Sequence, residues 1–124
     1  MSLVLGPVLR HVGDTTAQVW VQTESSGTVE ILGCSATTFE VQGFHYAIVA
    51  VAGLEPDTAT EYEVHLDGVR VWPEPDSPFP PSVIKTRGPS SVDRHRVLFG
   101  SCRYPKTGDV KIDDKLGLDA LDCY

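Results

Sequence analysis

Residues 60–72 read TEYEVHLDGVRVW, and their pattern is the clearest indication of the fold class. From residue 60 to residue 66, apolar side chains alternate with polar ones, which is the period of a strand with one buried face. Asp67-Gly68 then precedes a second apolar-rich run. An Asp-Gly pair between such runs favours a two-residue hairpin turn, because both of its positions have positive φ. The stretch therefore predicts two antiparallel strands.

The same pattern recurs through the first 87 residues. Short runs rich in Val, Ile, Thr and Tyr, separated by turn residues, are typical of half-buried strands. No convincing helical periodicity occurs before residue 115. We predict strands at 3–12, 17–23, 28–32, 38–41, 46–51, 60–66, 69–72 and 82–86. Residues 1–87 are therefore expected to form a small all-β sandwich.

Composition and charge narrow the function classes. The chain has 124 residues and a net charge of −7, which disfavours partners that need a basic surface, namely nucleic acids and anionic membranes. No apolar run approaches the roughly 18 residues that span a bilayer. The three cysteines are widely spaced and odd in number, so we expect free thiols in a reducing compartment. A cytoplasmic location is the expectation.

The pattern changes after residue 87. Residues 72–81 carry five prolines, and the polar residues 88–96 are interpreted as a linker. Residues 97–102 then read VLFGSC, a continuous apolar run typical of a strand buried on both faces, and residues 116–124 have helical spacing. We interpret 97–124 as the truncated start of an α/β domain, whose exposed first strand would favour dimerisation. The alternative is that the run adds a last strand to the sandwich.

Trp20 is the candidate interface residue of the sandwich. In residues 17–21 the small apolar side chains occupy one face of the predicted strand, so Trp20 should lie on the other, outer face. A large exposed aromatic residue often marks an interface. The proline-rich segment, with Trp72 and Phe79, is the expected surface for contact with the α/β domain that follows. The alternative is that this segment covers Trp20 within the domain.

Two sets of motifs resemble known families. Residues 53–58, GLEPDT, with Tyr62 following, resemble the E–F corner of fibronectin type III domains, a branch of the immunoglobulin-like sandwiches. Five segments, in this order, resemble the N-terminal part of the alkaline phosphatase D (PhoD-like) metallophosphatases. They are LGPVL (5–9), TAQVWV (16–21), GLEP (53–56), DSPFPP (76–81) and FGSCR (99–103). The second resemblance covers essentially the whole chain.

The PhoD-like resemblance implies a function for the complete protein and none for this chain alone. The family hydrolyses phosphate esters with a metal cluster, of iron with calcium or another divalent metal, in an α/β domain. Cys102 matches the family's cysteine ligand and is the one candidate metal residue here. The resemblance implies a non-catalytic accessory domain that packs on its own catalytic domain. The alternative is a stand-alone sandwich that binds a protein or glycan partner.

Overall fold

The computed structural model describes residues 1–88 and 97–99, and this part of the chain is all-β. Its ten strands account for every regular element described, and no helix among these residues is long and apolar enough to cross a membrane. The strands are β1 (Leu3–Val12), β2 (Ala17–Thr23), β3 (Thr28–Ile31), β4 (Cys34–Thr37), β5 (Phe39–Val41), β6 (Phe44–Val51), β7 (Ala59–Glu61), β8 (Val64–Leu66), β9 (Val69–Trp72) and β10 (Val83–Lys85).

Two four-stranded antiparallel sheets share one hydrophobic core. The first has the order β1-β2-β6-β5 and the second the order β4-β3-β8-β9, while β10 and β7 form a separate two-stranded pair. Fully buried side chains from both large sheets and from β10 pack in a single cluster, which includes Val19, Val49, Ile31, Val64 and Ile84. This arrangement is consistent with a β-sandwich, as the alternating sequence predicts.

Three tight turns fix the register of the hairpins. Asp67 and Gly68 have φ values of 48° and 82°, and Leu66 pairs with Val69, so the predicted two-residue turn is confirmed. Leu32-Gly33 and Gln42-Gly43 adopt the same positive φ values between paired strands. The turn at Leu32-Gly33 creates β4, a strand that the sequence analysis missed.

The predicted strand 60–66 is divided between two sheets. Its first part, β7, pairs with β10, whereas its second part, β8, pairs with β3 and β9. Tyr62 lies at the break, where its N–H donates to the carbonyl of Ser82 at 3.0 Å. The predicted inward face is confirmed, because Tyr62, Val64 and Leu66 are buried while Glu61 and Glu63 are exposed.

The corner at residues 53–58 is held by Thr86. The buried Thr86 hydroxyl donates to the carbonyl of Glu55 at 2.6 Å and accepts the N–H of Thr58 at 3.0 Å. The Thr86 N–H also donates to the carbonyl of Thr58 at 3.0 Å. In the tyrosine corner of immunoglobulin-like domains a phenol hydroxyl makes the closing bond. Here the side-chain partner of the Tyr62 hydroxyl is Ser82.

The chain divides into two compact units, Met1–Val92 and Asp93–Tyr124. In the second unit only residues 97–99 are described; they form no strand, and Val97, Leu98 and Phe99 are 78%, 76% and 95% exposed. The rest of the predicted strand, and all of the predicted linker except its first residue, lie outside the described residues. The predicted helix lies outside the described residues.

Candidate functional site

The strand β2 presents Trp20 on the outer side of the first sheet. Ala17, Val19 and Val21 are buried in the core, and Trp20 is half-buried between them on the opposite face, as its place in the alternation predicts. Val8 of β1 and Ile48 of β6 lie directly opposite Trp20 on its two neighbouring strands. Trp20 is therefore in the middle of the sheet rather than at its edge.

Aromatic contacts continue across the sheet from Trp20. The Trp20 and Tyr46 rings stack with their centroids 5.7 Å apart and an interplanar angle of 28°. Tyr46 in turn meets Phe39 of β5, with 6.0 Å between the ring centroids. Offset aromatic pairs at such distances contribute about 0.5–1.5 kcal/mol beyond the area that they bury. These contacts hold the three rings in a fixed arrangement.

An apolar surface extends over all four strands of this sheet. Eight large apolar or aromatic residues share it, and six of them are between 41% and 57% exposed. Soluble domains rarely leave a continuous apolar surface of this kind in water unless it binds something. We call this surface the outer face; its residues are Leu5, Val8, Trp20, Phe39, Val41, Phe44, Tyr46 and Ile48.

The sequence carries a signal for the outer face that the strand prediction did not use. β6 reads FHYAIVAV, and apart from His45 every residue is apolar or aromatic. Ala47, Val49 and Val51 account for the core side. Phe44, Tyr46 and Ile48 must then lie on the opposite side. A strand that is apolar on both faces predicts a sheet that is covered on both faces.

The three predicted interface residues do not share one surface. Trp20 is on the first sheet, whereas Trp72 is on β9 of the second sheet, where it packs against the core. The Trp72 indole N–H donates to the Ser82 hydroxyl at 2.9 Å. Phe79 lies between β9 and β10 and is 44% exposed. The aromatic neighbour of Trp20 is Tyr46, which the sequence analysis did not single out.

A second surface feature is an acidic depression of about 510 Å³ beside the second sheet. Its carboxylates are on Glu30, Glu61 and Glu63. Glu63 already has two partners, because its oxygens lie 3.2 Å from the Arg70 guanidinium and 3.7 Å from the His65 imidazole. Within residues 1–88 and 97–99, no group of three or more His, Cys, Asp or Glu side chains is placed to hold a metal ion.

Tyr62 forms part of the wall of this depression. Burial raises the pKa of the Tyr62 phenol above its ordinary value, and a side-chain hydrogen bond with Ser82 offsets part of that effect. The phenol is therefore neutral throughout the physiological range and serves as a packing and hydrogen-bonding group. The candidate metal ligand Cys102 lies outside the described residues.

Comparison with known proteins gives a family without an assigned activity. The family model described as a domain of unknown function, DUF7800, matches residues 1–84. No curated protein and no solved structure matches the chain. The matched range spans all ten strands except the last residue of β10. The family therefore coincides with the all-β unit.

Proposed function

The chain belongs to the DUF7800 family, whose function is unknown, and we propose a role from the chain's own surfaces and motifs. We propose that the chain is the non-catalytic N-terminal domain of a PhoD-like metallophosphatase. In this proposal an immunoglobulin-like sandwich, residues 1–87, precedes a linker, residues 88–96, and a phosphoester-hydrolysing domain that starts at residue 97. The sandwich packs on that domain through the outer face.

The strand order supports an immunoglobulin-like fold of the fibronectin type III kind. Constant-type immunoglobulin domains place strands A, B, E and D in one sheet and C, F and G in the other. The order β1-β2-β6-β5 corresponds to A-B-E-D, and β3-β8-β9 corresponds to C-F-G with β4 added at the edge. The corner at residues 53–58 then falls between E and F, where its sequence resemblance puts it.

The observation that carries the proposal is the outer face. Three strands spaced by about 4.8 Å and six residues long make a face of about 14 Å by 20 Å, and the short strand β5 adds about 50 Å². The plan area is then about 330 Å² on this side, so two partners would bury about 660 Å². Interfaces between domains of one chain bury about 600–1,500 Å². The outer face is thus large enough for one domain interface.

The chemistry of the outer face favours a protein surface over a glycan. Aliphatic side chains, Leu5, Val8 and Ile48, surround the stacked rings of Trp20 and Tyr46. Sugars require several polar groups beside each stacking ring, because their hydroxyls must keep hydrogen bonds when they leave water. An apolar protein surface does not require such polar groups, and it can pack against both the aliphatic and the aromatic side chains of the outer face.

The reaction itself is assigned to the domain beyond this chain's described residues. There Cys102 would supply a thiolate to a metal site that requires further ligands from later strands. A metal cluster, when bound, would activate a hydroxide and neutralise charge on the phosphate ester. The contribution of the sandwich is to cover and order an apolar side of that domain.

Phosphatase assays on two polypeptides test the proposal. The 124-residue chain is compared with a polypeptide that continues its reading frame through the following few hundred residues, both with iron and divalent metals. We expect hydrolysis of aryl phosphate monoesters or diesters by the longer polypeptide only. Trp20→Ala should lower the activity of the longer polypeptide, whereas Val69→Ala, at a 65% exposed position on the second sheet, should not.

Absence of hydrolysis by the longer polypeptide, or a reading frame with no such domain, would overturn the proposal. The stand-alone module that binds a protein or glycan would then be the better account of the outer face.

A further inference from the structure

Gln22 is a buried amide in the middle of the apolar outer face. Its side chain projects to the same side of β2 as Trp20, because Val21 and Thr23 occupy the core side. Leu5 and Tyr46 lie directly opposite Gln22 on the two neighbouring strands. Only 9% of the residue is exposed, so most of it is out of contact with water.

The other buried polar side chains have their hydrogen bonds. Thr23 donates to the carbonyl of Ser25 at 2.8 Å, and Thr86 bonds to Glu55 and Thr58. The Gln22 amide, by contrast, bonds to none of the residues that the structure describes. A glutamine amide has two N–H donors and a carbonyl acceptor. Buried polar groups nearly always find a partner, so an unpaired amide here requires an explanation.

We infer that Gln22 is the polar anchor of the interface formed by the outer face, an inference that rests on the function proposed above. The docked domain presents an apolar surface with one donor and one acceptor opposite Gln22, as a main-chain peptide group does. Docking removes the remaining water from the amide and supplies its missing hydrogen bonds. The stacked rings around Gln22 keep water from competing, and the amide fixes the register of the two surfaces.

Gln18 provides a matched control in the same strand. It lies four residues before Gln22, on the same side of the sheet, but it is exposed and pairs with Ala50 at the polar end of that side. Its amide is exposed in the isolated chain, so it needs no hydrogen-bond partner from a docked domain. The same substitution at the two positions therefore separates the anchor from a general effect of removing an amide from β2.

The test is hydrogen exchange of the peptide containing residues 17–23, measured by mass spectrometry in the 124-residue chain and in the longer polypeptide. Without substitutions, we expect the longer polypeptide to exchange more slowly here. Gln22→Met should remove about tenfold or more of that added protection, the equivalent of one hydrogen bond with a buried partner. In the 124-residue chain, Gln22→Met should leave exchange equal or slower, because it removes an unpaired buried amide. Gln18→Met should change neither.

The exchange measurements separate failure of the docking proposal from failure of the Gln22 anchor. Equal exchange of the two unsubstituted polypeptides would overturn the docking proposal and the anchor with it. Added protection that survives in Gln22→Met would overturn the anchor alone. If Gln22→Met disturbs the isolated chain, Gln22→Leu provides the second variant. Faster exchange of both variants in the isolated chain would show an amide that is already bonded within the sandwich, and the inference would be wrong.

Discussion

The Thr86 hydroxyl is expected to stabilise the corner at residues 53–58, and Thr86→Val tests this expectation. Valine keeps the shape and the strand preference of threonine but removes the hydroxyl. Thr86 is 3% exposed, so water cannot replace its bonds from the core side. The substitution leaves the Glu55 carbonyl and the Thr58 N–H without their side-chain partner.

The expected loss follows from those two groups. A buried group that loses its partner costs about 1–3 kcal/mol. Glu55 and Thr58 are themselves exposed residues, so water can partly solvate the unpaired carbonyl and N–H. Each group should therefore cost about 1 kcal/mol, the lower end of this range. We therefore expect Thr86→Val to lower the free energy of unfolding by about 2 kcal/mol, measured by urea unfolding of the 124-residue chain.

Thr58→Val is the matched control for this measurement. The Thr58 hydroxyl donates to the carbonyl of Pro56 at 2.9 Å in an exposed position of the same corner. Exposed substitutions of this kind usually change stability by less than about 0.5 kcal/mol. Equal losses in the two variants would show that the corner does not depend on the buried hydroxyl.

Three further expectations can be tested on the same chain. Gly68→Ala should lower the free energy of unfolding by about 1–2 kcal/mol, because φ at Gly68 is +82° and an L-residue is strained there. A Cβ at this position would meet no other atom, so the cost is conformational rather than steric. An unchanged free energy of unfolding would contradict the turn geometry. Above pH of about 10 the Tyr62 phenol ionises in the unfolded chain but stays neutral when buried, so stability should fall as pH rises through its raised folded pKa. Tyr62→Phe should lessen that alkaline loss in urea titrations, and an unchanged pH profile would show that Tyr62 does not contribute to it. Finally, light scattering should show concentration-dependent association that decreases when the exposed residues 97–99 are changed to serine; a monomer at all concentrations would contradict it.

Much of the fold could be predicted because its determinants are local. The strand bounds 3–12, 17–23 and 69–72 agree with the structure, since alternation and turn residues act over neighbouring positions. The break at Tyr62 could not be predicted in this way. The break depends on β10, some twenty residues later, because β10 pairs with β7 and so draws the first part of the predicted strand 60–66 away from the second sheet.

The candidate site was only partly accessible from sequence. The side of the sheet that Trp20 faces follows from strict alternation, and the structure confirms it. Its partner Tyr46 depends on which strands are neighbours, and neighbour order is set by long-range pairing between β2 and β6. Whether Trp20 and Trp72 share a surface depends on the same pairing, which puts β2 and β9 in different sheets. Local sequence patterns predict which face of a strand a side chain occupies. Which side chains meet in a site depends on the order of the strands in the sheet.

Hydroxyl-radical footprinting can show whether a following domain covers the outer face. Oxidation of Trp20, Phe44 and Ile48 is measured in the 124-residue chain and in the longer polypeptide, with Val69 on the second sheet as an internal reference. We expect several-fold lower oxidation of the three outer-face residues in the longer polypeptide, with Val69 unchanged. Equal oxidation of the outer face in both polypeptides would show that no following domain covers it, and the proposed function would be wrong.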